Sequence, residues 1–459
     1  MPPIESEVSD SDSGFPPSAP NAESTDSPII TDSPDALAPC HRWNFLSLAF
    51  YQMTLRCGWI FKTESIVMPA VLDLIGGGAV LRSWLPLINR CGQSLPPLLL
   101  APQIRALKRK KWCALVCTIM MSLIFFLLAG IWGQTGGIAD WVPVVFLVLY
   151  ALFFCCTGLN QLAINTLQGK LIRTHARGRL LMCANVMGGC SALILAGLLL
   201  PRWLHAETAE FQWIFAAAAC FFGLAAVFLL LLRESADDYP RQRTGMGSLL
   251  RDVAQTLRQD RNFRGLAIVA FLFGCSMMLF PHYQNVGRGI LNLNLKNLVL
   301  WVMVQNAGTA LFSLLVGPLA DRRGYRTVLR VVLLPIVAAP LLVMVFSQLP
   351  AVGERFFWLV FLMVGLTPVL IKVFQNYTLE LAPHSEHPRY LATISVCIAA
   401  PMIFSPLLGL VIQGCQAASW CPDSLAFHPA FGLIMLLIFW GWLRTFHLHE
   451  PRLGNSIEP

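Results

Sequence analysis

Long apolar runs, separated by short polar breaks, dominate residues 41–449. A helix needs roughly 20 mainly apolar residues to cross the hydrocarbon core of a bilayer. Twelve runs meet that length. The first six cover about 44–73, 83–104, 112–132, 141–168, 180–202 and 211–232. The second six cover about 263–287, 296–317, 327–348, 356–380, 389–413 and 427–447. The pattern predicts an all-α integral membrane protein with twelve transmembrane helices in two six-helix bundles, 41–232 and 263–449. The linker between them, 233–262, contains "GSLLRDVAQTLRQD". There Leu249, Leu250, Val253 and Leu257 share one helical face, which predicts a short amphipathic helix on the membrane surface.

Basic residues fall in alternate loops. "RALKRKK" follows the second run, "GKLIRTHARGR" the fourth, and Arg322, Arg323, Arg326 and Arg330 the eighth. The intervening loops, such as "GQTGGIAD", are poor in Lys and Arg. The positive-inside rule then places both termini in the cytoplasm of a multi-pass protein of the cell (plasma or inner) membrane. Composition agrees: 56% of the residues are hydrophobic and 13% charged, against about 25% charged in soluble domains. The net charge of +8 is spread over these loops and does not point to nucleic acid. Residues 1–40 are acidic and rich in Ser and Pro, and predict a disordered cytoplasmic tail; residues 450–459 form a second tail. Of the fourteen cysteines, most lie inside apolar runs, and none has spacing suited to zinc. Cys415 and Cys421 share a loop and could bond in an oxidising compartment. No metal, cofactor or enzymatic arrangement is expected.

The halves repeat. At an offset of 216, "NRCGQSLPPLLLAP" (89–102) aligns with "QNAGTALFSLLVGP" (305–318), matching Gly92 to Gly308 and Pro102 to Pro318. The polar pair Asn89–Arg90 meets Gln305–Asn306. Such repeats point to a transporter whose two bundles rock about a central site. The loop "GPLADRRGYRTVLR" (317–330) resembles the signature loop of the major facilitator superfamily. Gly317, Leu319, Ala320, Asp321, Arg322, Gly324, Arg326 and Leu329 fit its pattern, and Tyr325 departs from it. The resemblance implies a cytoplasmic latch built on Asp321 and Arg326, with Glu380 and Arg389 as candidate partners. Gly317 is expected to permit close helix approach, and Gly324 a tight turn. In the first-half copy Asp321 falls on Arg105, so the acid is missing and the latch is expected to be lopsided.

The resemblance also implies a cavity lined by spans 1, 4, 7 and 10. Span 4 offers Gln161, Asn165 and Gln168 on one stripe, and span 10 offers Lys372, Gln375, Asn376 and Glu380. Span 7 ends in "PHYQN" with Gln284. In span 1, a continuous helix at 100° per residue puts Gln52, Arg56 and Thr63 on one cavity face. It puts Lys62 and Glu64 about 160° apart, with Lys62 snorkelling to the outer surface. Arg90 is at Glu64's depth on the neighbouring antiparallel span. Glu64 is therefore either a proton carrier or the ion-pair partner of Arg90. Arg90 is also a candidate cavity residue, and Arg56, Arg90 and Lys372 favour an anionic or highly hydroxylated solute. Trp59 is either a stacking platform or a packing residue.

The function expected is alternating-access transport of a small polar or anionic organic solute by a monomer, coupled to a proton. Efflux of amphipathic compounds, faintly echoed by "SPLLG" (405–409), and a non-transporting receptor or scaffold are the alternatives.

Overall fold

A computed structural model describes residues 34–137, 139–205, 210–236, 246–383 and 386–448. The structure is all helical. Ten of its helical segments are long and apolar enough to cross a membrane, among the described residues. They are span 3 (Lys111–Thr135), span 4 (Val142–Leu171), span 5 (Val186–Trp203, within a helix that begins at Thr174) and span 6 (Phe211–Leu230). Span 7 (Arg261–Gly289), span 8 (Asn297–Ala320), span 9 (Arg322–Gln348), span 10 (Trp358–Leu381), span 11 (Arg389–Ala417) and span 12 (His428–His447) follow. The remaining two are more polar: span 1, made of Pro34–Ile60 and Val67–Leu74, and span 2, Ala79–Arg105. Together they make the twelve-helix, two-bundle fold. The first helix begins at Pro34, inside the segment expected to be tail; residues 1–33 and 449–459 lie outside the described residues.

Four spans are interrupted, each just before a proline. Proline has no N–H, and its ring crowds the carbonyl four residues earlier. Pro69 sits four residues after Ser65, in the non-helical stretch between Ile60 and Val67 of span 1. Pro281 acts on Met277, within the 3₁₀ turn Cys275–Leu279 of span 7. Pro368 acts on Val364, where span 10 divides between Val364 and Thr367. Pro406 acts on Met402, within the 3₁₀ turn Ala400–Phe404 of span 11.

Glycines set the packing inside each half. A Cβ on Gly92 of span 2 would lie 2.5 Å from Phe154 Cβ of span 4. Reciprocally, one on Gly158 would lie 2.8 Å from the Gly92 carbonyl oxygen. The second half repeats this between spans 8 and 10: a Cβ on Gly308 would lie 2.7 Å from the Leu362 carbonyl oxygen, and Gly365 abuts Gln305. Thr309 Oγ1 donates to Gly365 O at 2.7 Å across that contact. The aligned glycines thus do the same job in both halves. Gly317 does not: a Cβ there meets only open space, so the close approach expected of it is absent. Gly324 turns the chain between spans 8 and 9 at φ 74°, as the signature loop implied.

The linker helix is Met246–Gln259. It packs against spans 7 and 11, with Val253 and Leu257 half-buried and Thr256 buried. Leu249 and Leu250 have side chains outside the described residues. Asp260 caps the start of span 7 by accepting from Phe263 N at 2.9 Å, and Tyr390 Oη of span 11 donates to its other oxygen at 3.2 Å. Cys415 and Cys421 are free thiols.

Gly92→Leu and Gly308→Leu should each lower the melting temperature of the purified protein, by overpacking worth about 1–3 kcal/mol. Gly317→Ala should leave it unchanged or raised. Equal melting of all three variants would refute this packing assignment.

Candidate functional site

The break in span 1 holds the main cluster of charges. With the helix ended at Ile60, the 100° rule no longer relates Arg56 to residues 62–64. Thr63 takes over the start of the outer helix: its carbonyl accepts from Val67 N and Met68 N, both at 3.0 Å, and its Oγ1 accepts from Val67 N at 3.2 Å. Thr63 is therefore a capping residue and does not extend the Arg56 face. Lys62 and Glu64, expected on opposite faces, form an ion pair at 2.9 Å. Lys62 does not snorkel outward; it is fully buried. Its Nζ sits over Trp59, Phe154 and Phe153, at 3.6, 4.2 and 4.9 Å from the ring centroids. Trp59 is thus committed to a cation–π cage, an interaction worth about 2 kcal/mol or more when desolvated.

Glu64 takes Lys62 as its ion-pair partner, not Arg90. It does share a cavity with Arg90. That cavity, of ≈ 30 Å³, is lined by Glu64, Asn89 and Arg90 of the first half and Met277, Phe280 and Met402 of the second, among others. The breaks of spans 1, 7 and 11 therefore converge on it. Irregular backbone at membrane depth is tolerated where it is buried in protein or lines such a space. Close by, Ser65 Oγ donates to Gln305 Oε1 of span 8 at 2.6 Å.

Arg56 lies apart from this cavity. A Cβ on Gly188 of the span 5 helix would be 3.2 Å from Arg56 Cδ, so the aliphatic stem runs against that helix. Gln52 is half-buried on the same span.

The polar stripes of spans 4 and 10 are on the side of the bundle that carries the linker. Gln161 and Asn165 are exposed and joined by a hydrogen bond of 3.1 Å, and Gln168 is half-buried. The apolar exposed residues Val144, Val148 and Leu152 occupy another face of span 4, turned by roughly 130° from the polar stripe at 100° per residue. The polar stripe therefore does not belong to the lipid-type surface. On span 10, Lys372 and Asn376 are exposed, with Gln375 half-buried beside them.

On the opposite, far side the two halves are bonded together. Asp73, ending span 1, pairs with Arg82 of span 2. The same carboxylate accepts from Gln284 at 2.6 Å and Asn285 at 3.1 Å, both on span 7. Ser83 Oγ and His282 Nε2 are 3.0 Å apart, and Gly409 of span 11 packs against Ala79 and Ser83. Gln284 is fully buried and belongs to this closure, not to a solute cavity. His282, read from the sequence with Gln284 as a polar residue of span 7, belongs to this closure too; Asp73, Arg82, Ser83 and Asn285 were not singled out from the sequence. The signal available was an acid and a base flanking the glycine turn "IGGG".

On the linker side, Arg389 donates to Glu386 at 3.4 Å, and Arg326 and Glu380 are half-buried with interactions of their own. Arg322 is exposed, and the Asp321 side chain lies outside the described residues. Tyr325, the departure from the signature, stacks on Tyr377 of span 10 with centroids 6.3 Å apart. The acid missing from the first-half loop is supplied from elsewhere. Glu234, following span 6, accepts from Lys110 N at 2.9 Å and Lys111 N at 2.8 Å, and pairs with Lys170 at 3.3 Å. It stabilises the start of span 3 through the helix dipole and charge-assisted bonds.

No family model matches the chain, and no curated protein matches its sequence. Solved structures do. The nucleoside transporter NupG superposes with a TM-score of 0.65 at 12% identity, over 88% of this chain and 98% of that one. A D-xylose–proton symporter gives 0.66 at 13%, over 89% and 98%. A POT family transporter in complex with 5-aminolevulinic acid gives 0.60 at 13%, over 92% and 98%. The chain has the fold of the major facilitator superfamily transporters.

Asp73→Asn should loosen the far side, because it leaves Arg82 buried without its counter-ion, a loss of about 3–5 kcal/mol when one partner of a buried pair is removed. Asp73→Asn should therefore lower the melting temperature of the purified protein, and Asp73→Asn/Arg82→Gln, which removes the stranded charge, should recover part of the loss. An unchanged melting temperature in Asp73→Asn would show that Asp73 does not hold the far side together.

Proposed function

We propose that the protein carries a small polar or anionic organic solute across a membrane by alternating access. The observation that carries this reading is the asymmetry between the two sides. The halves are hydrogen-bonded to one another on the far side, through Asp73, Gln284, Asn285, Ser83 and His282, while the polar stripes of spans 4 and 10 stay exposed on the linker side. That arrangement fits a carrier closed outward with its solute path open inward. The similar solved structures include transporters of nucleosides and of D-xylose with a proton, which supports transport as the class while leaving the solute to this chain's own residues.

The loop bias in Lys and Arg identifies the linker side with the cytoplasm and supports the cell membrane as the location, with the chain acting as a monomer. Gln161, Asn165, Lys372, Gln375 and Asn376 line the inward path, with Gln52 and Arg56 on the flank of span 1. Glu64 is the coupling group. It is the one acid at the central cavity among the described residues, it is partly exposed, and protonating it would release Lys62 from a 2.9 Å ion pair. The signature loop, through Asp321, Arg326, Glu380 and Arg389, serves as the inner latch that closes when the far side opens.

Purified protein in proteoliposomes should exchange a labelled solute across the membrane and accumulate it under an inward proton gradient. Glu64→Gln should abolish gradient-driven accumulation and keep exchange. Tight solute binding with neither exchange nor accumulation would favour a receptor and overturn the transport reading. Accumulation surviving in Glu64→Gln would remove Glu64 as the proton carrier.

A further inference from the structure

The charges around the central cavity do not cancel. Lys62 and Glu64 neutralise one another as an ion pair. Arg90 lines the same cavity, and its one hydrogen-bond contact among the described residues is Met277 Sδ at 2.8 Å. A thioether is a weak acceptor, and a guanidinium carries five donors. Glu64 also lies within electrostatic reach of Arg90, so Lys62, Glu64 and Arg90 together carry one net positive charge deep in the bundle, where a retained charge calls for a partner.

The polar groups nearby are short of acceptors. Asn89 is 4% exposed, and its carboxamide oxygen is taken up by Gln93 Nε2, which leaves its amino group for the cavity. Tyr150 is 1% exposed; its hydroxyl has no hydrogen-bond partner and lies within electrostatic reach of Glu64. The rest of the wall is apolar: Leu85, Pro86, Met277, Phe280, Pro281 and Met402. A hydroxyl-rich solute set against that wall would leave its hydroxyls unpaired, at a cost for each.

We infer that this cavity is a headgroup subsite for a monoanionic carboxylate with an apolar body, the carboxylate resting on Arg90 and Asn89. The inference builds on the transport reading above, since it names the class of solute carried. A carboxylate matches the guanidinium fork in a bidentate pair. One surplus charge is balanced by a monoanion and overshot by a dianion. The cavity is small and most of its wall is apolar, which suits a compact carboxylate headgroup followed by an apolar body. Because the wall comes from spans 1 and 2 on one side and spans 7 and 11 on the other, a bound headgroup touches both bundles at once.

The test uses the full purified chain and calorimetric binding of butyrate and phenylacetate, set against butyramide, phenylacetamide, xylose and inorganic phosphate. The carboxylates should bind at least about tenfold more tightly than their amides, than xylose and than phosphate, the range expected for hydrogen bonds to a charged group. Arg90→Gln should weaken carboxylate binding by at least about tenfold, and Arg90→Lys should recover part of it. Glu64→Gln raises the local charge by one, so succinate should gain at least about threefold relative to butyrate. This arm decides the matter if Arg90→Gln fails to fold. Amides, xylose or phosphate binding as tightly as the carboxylates, no binding by either carboxylate, or carboxylate affinity unchanged in Arg90→Gln would each overturn the inference. Carboxylate binding without exchange in proteoliposomes would refute transport and leave the subsite standing. Exchange of xylose without carboxylate binding would do the reverse.

Discussion

A proline inside a helix removes one backbone donor and strands the carbonyl four residues before it. In lipid that carbonyl has no water to turn to, so the interruption must be enclosed by protein or by a cavity. Pro69, Pro281 and Pro406 impose that constraint on spans 1, 7 and 11, and the three interruptions share one enclosure. The rest of the centre depends on it. Only because the first helix stops at Ile60 can Lys62 fold back over Trp59 while reaching Glu64 two residues on. On an unbroken helix those two side chains would diverge.

This explains what was legible in the sequence and what was not. The twelve spans, the division into halves and the glycine repeat are carried by hydropathy and spacing, which are local and survive any detail of packing. Gly92 and Gly308 are an example: each marks the same helix–helix contact in its own half. The geometry of span 1 was lost because helical periodicity was extended through a break, although Pro69 marked the break. Gln284 was misassigned for a different reason. An amide near the end of a span reads the same whether it faces a solute or, as here, a carboxylate on the other half. Glu234 lay beyond reach altogether, since its partners at Lys110, Lys111 and Lys170 are distant in the chain and are brought to it only by folding.

The distribution of contacts separates what is stiff from what can move. Within each half, glycine pairs bring helices to backbone contact, and aromatic side chains fill the first half densely, as where Phe125 meets Phe153 edge-on at 5.0 Å. Between the halves the far side combines polar bonds with a close helix contact, where Gly409 of span 11 meets the Ala79 carbonyl and Ser83 of span 2. The polar bonds can be exchanged for water when the surface opens, whereas the Gly409 contact parts only with loss of packing. Opening the far side therefore costs packing as well as hydrogen bonds.

The lone charge of Arg90 has an electrical consequence. A membrane potential acts on any charge that shares its field, by about 2.3 kcal/mol per elementary charge per 100 mV for full passage. An empty centre holding Lys62, Glu64 and Arg90 presents a net positive charge to that field, and a centre filled by a monoanion presents none. On the transport and carboxylate-subsite readings proposed above, voltage then bears on the unloaded state and leaves the loaded one nearly indifferent, whatever fraction of the field reaches this depth.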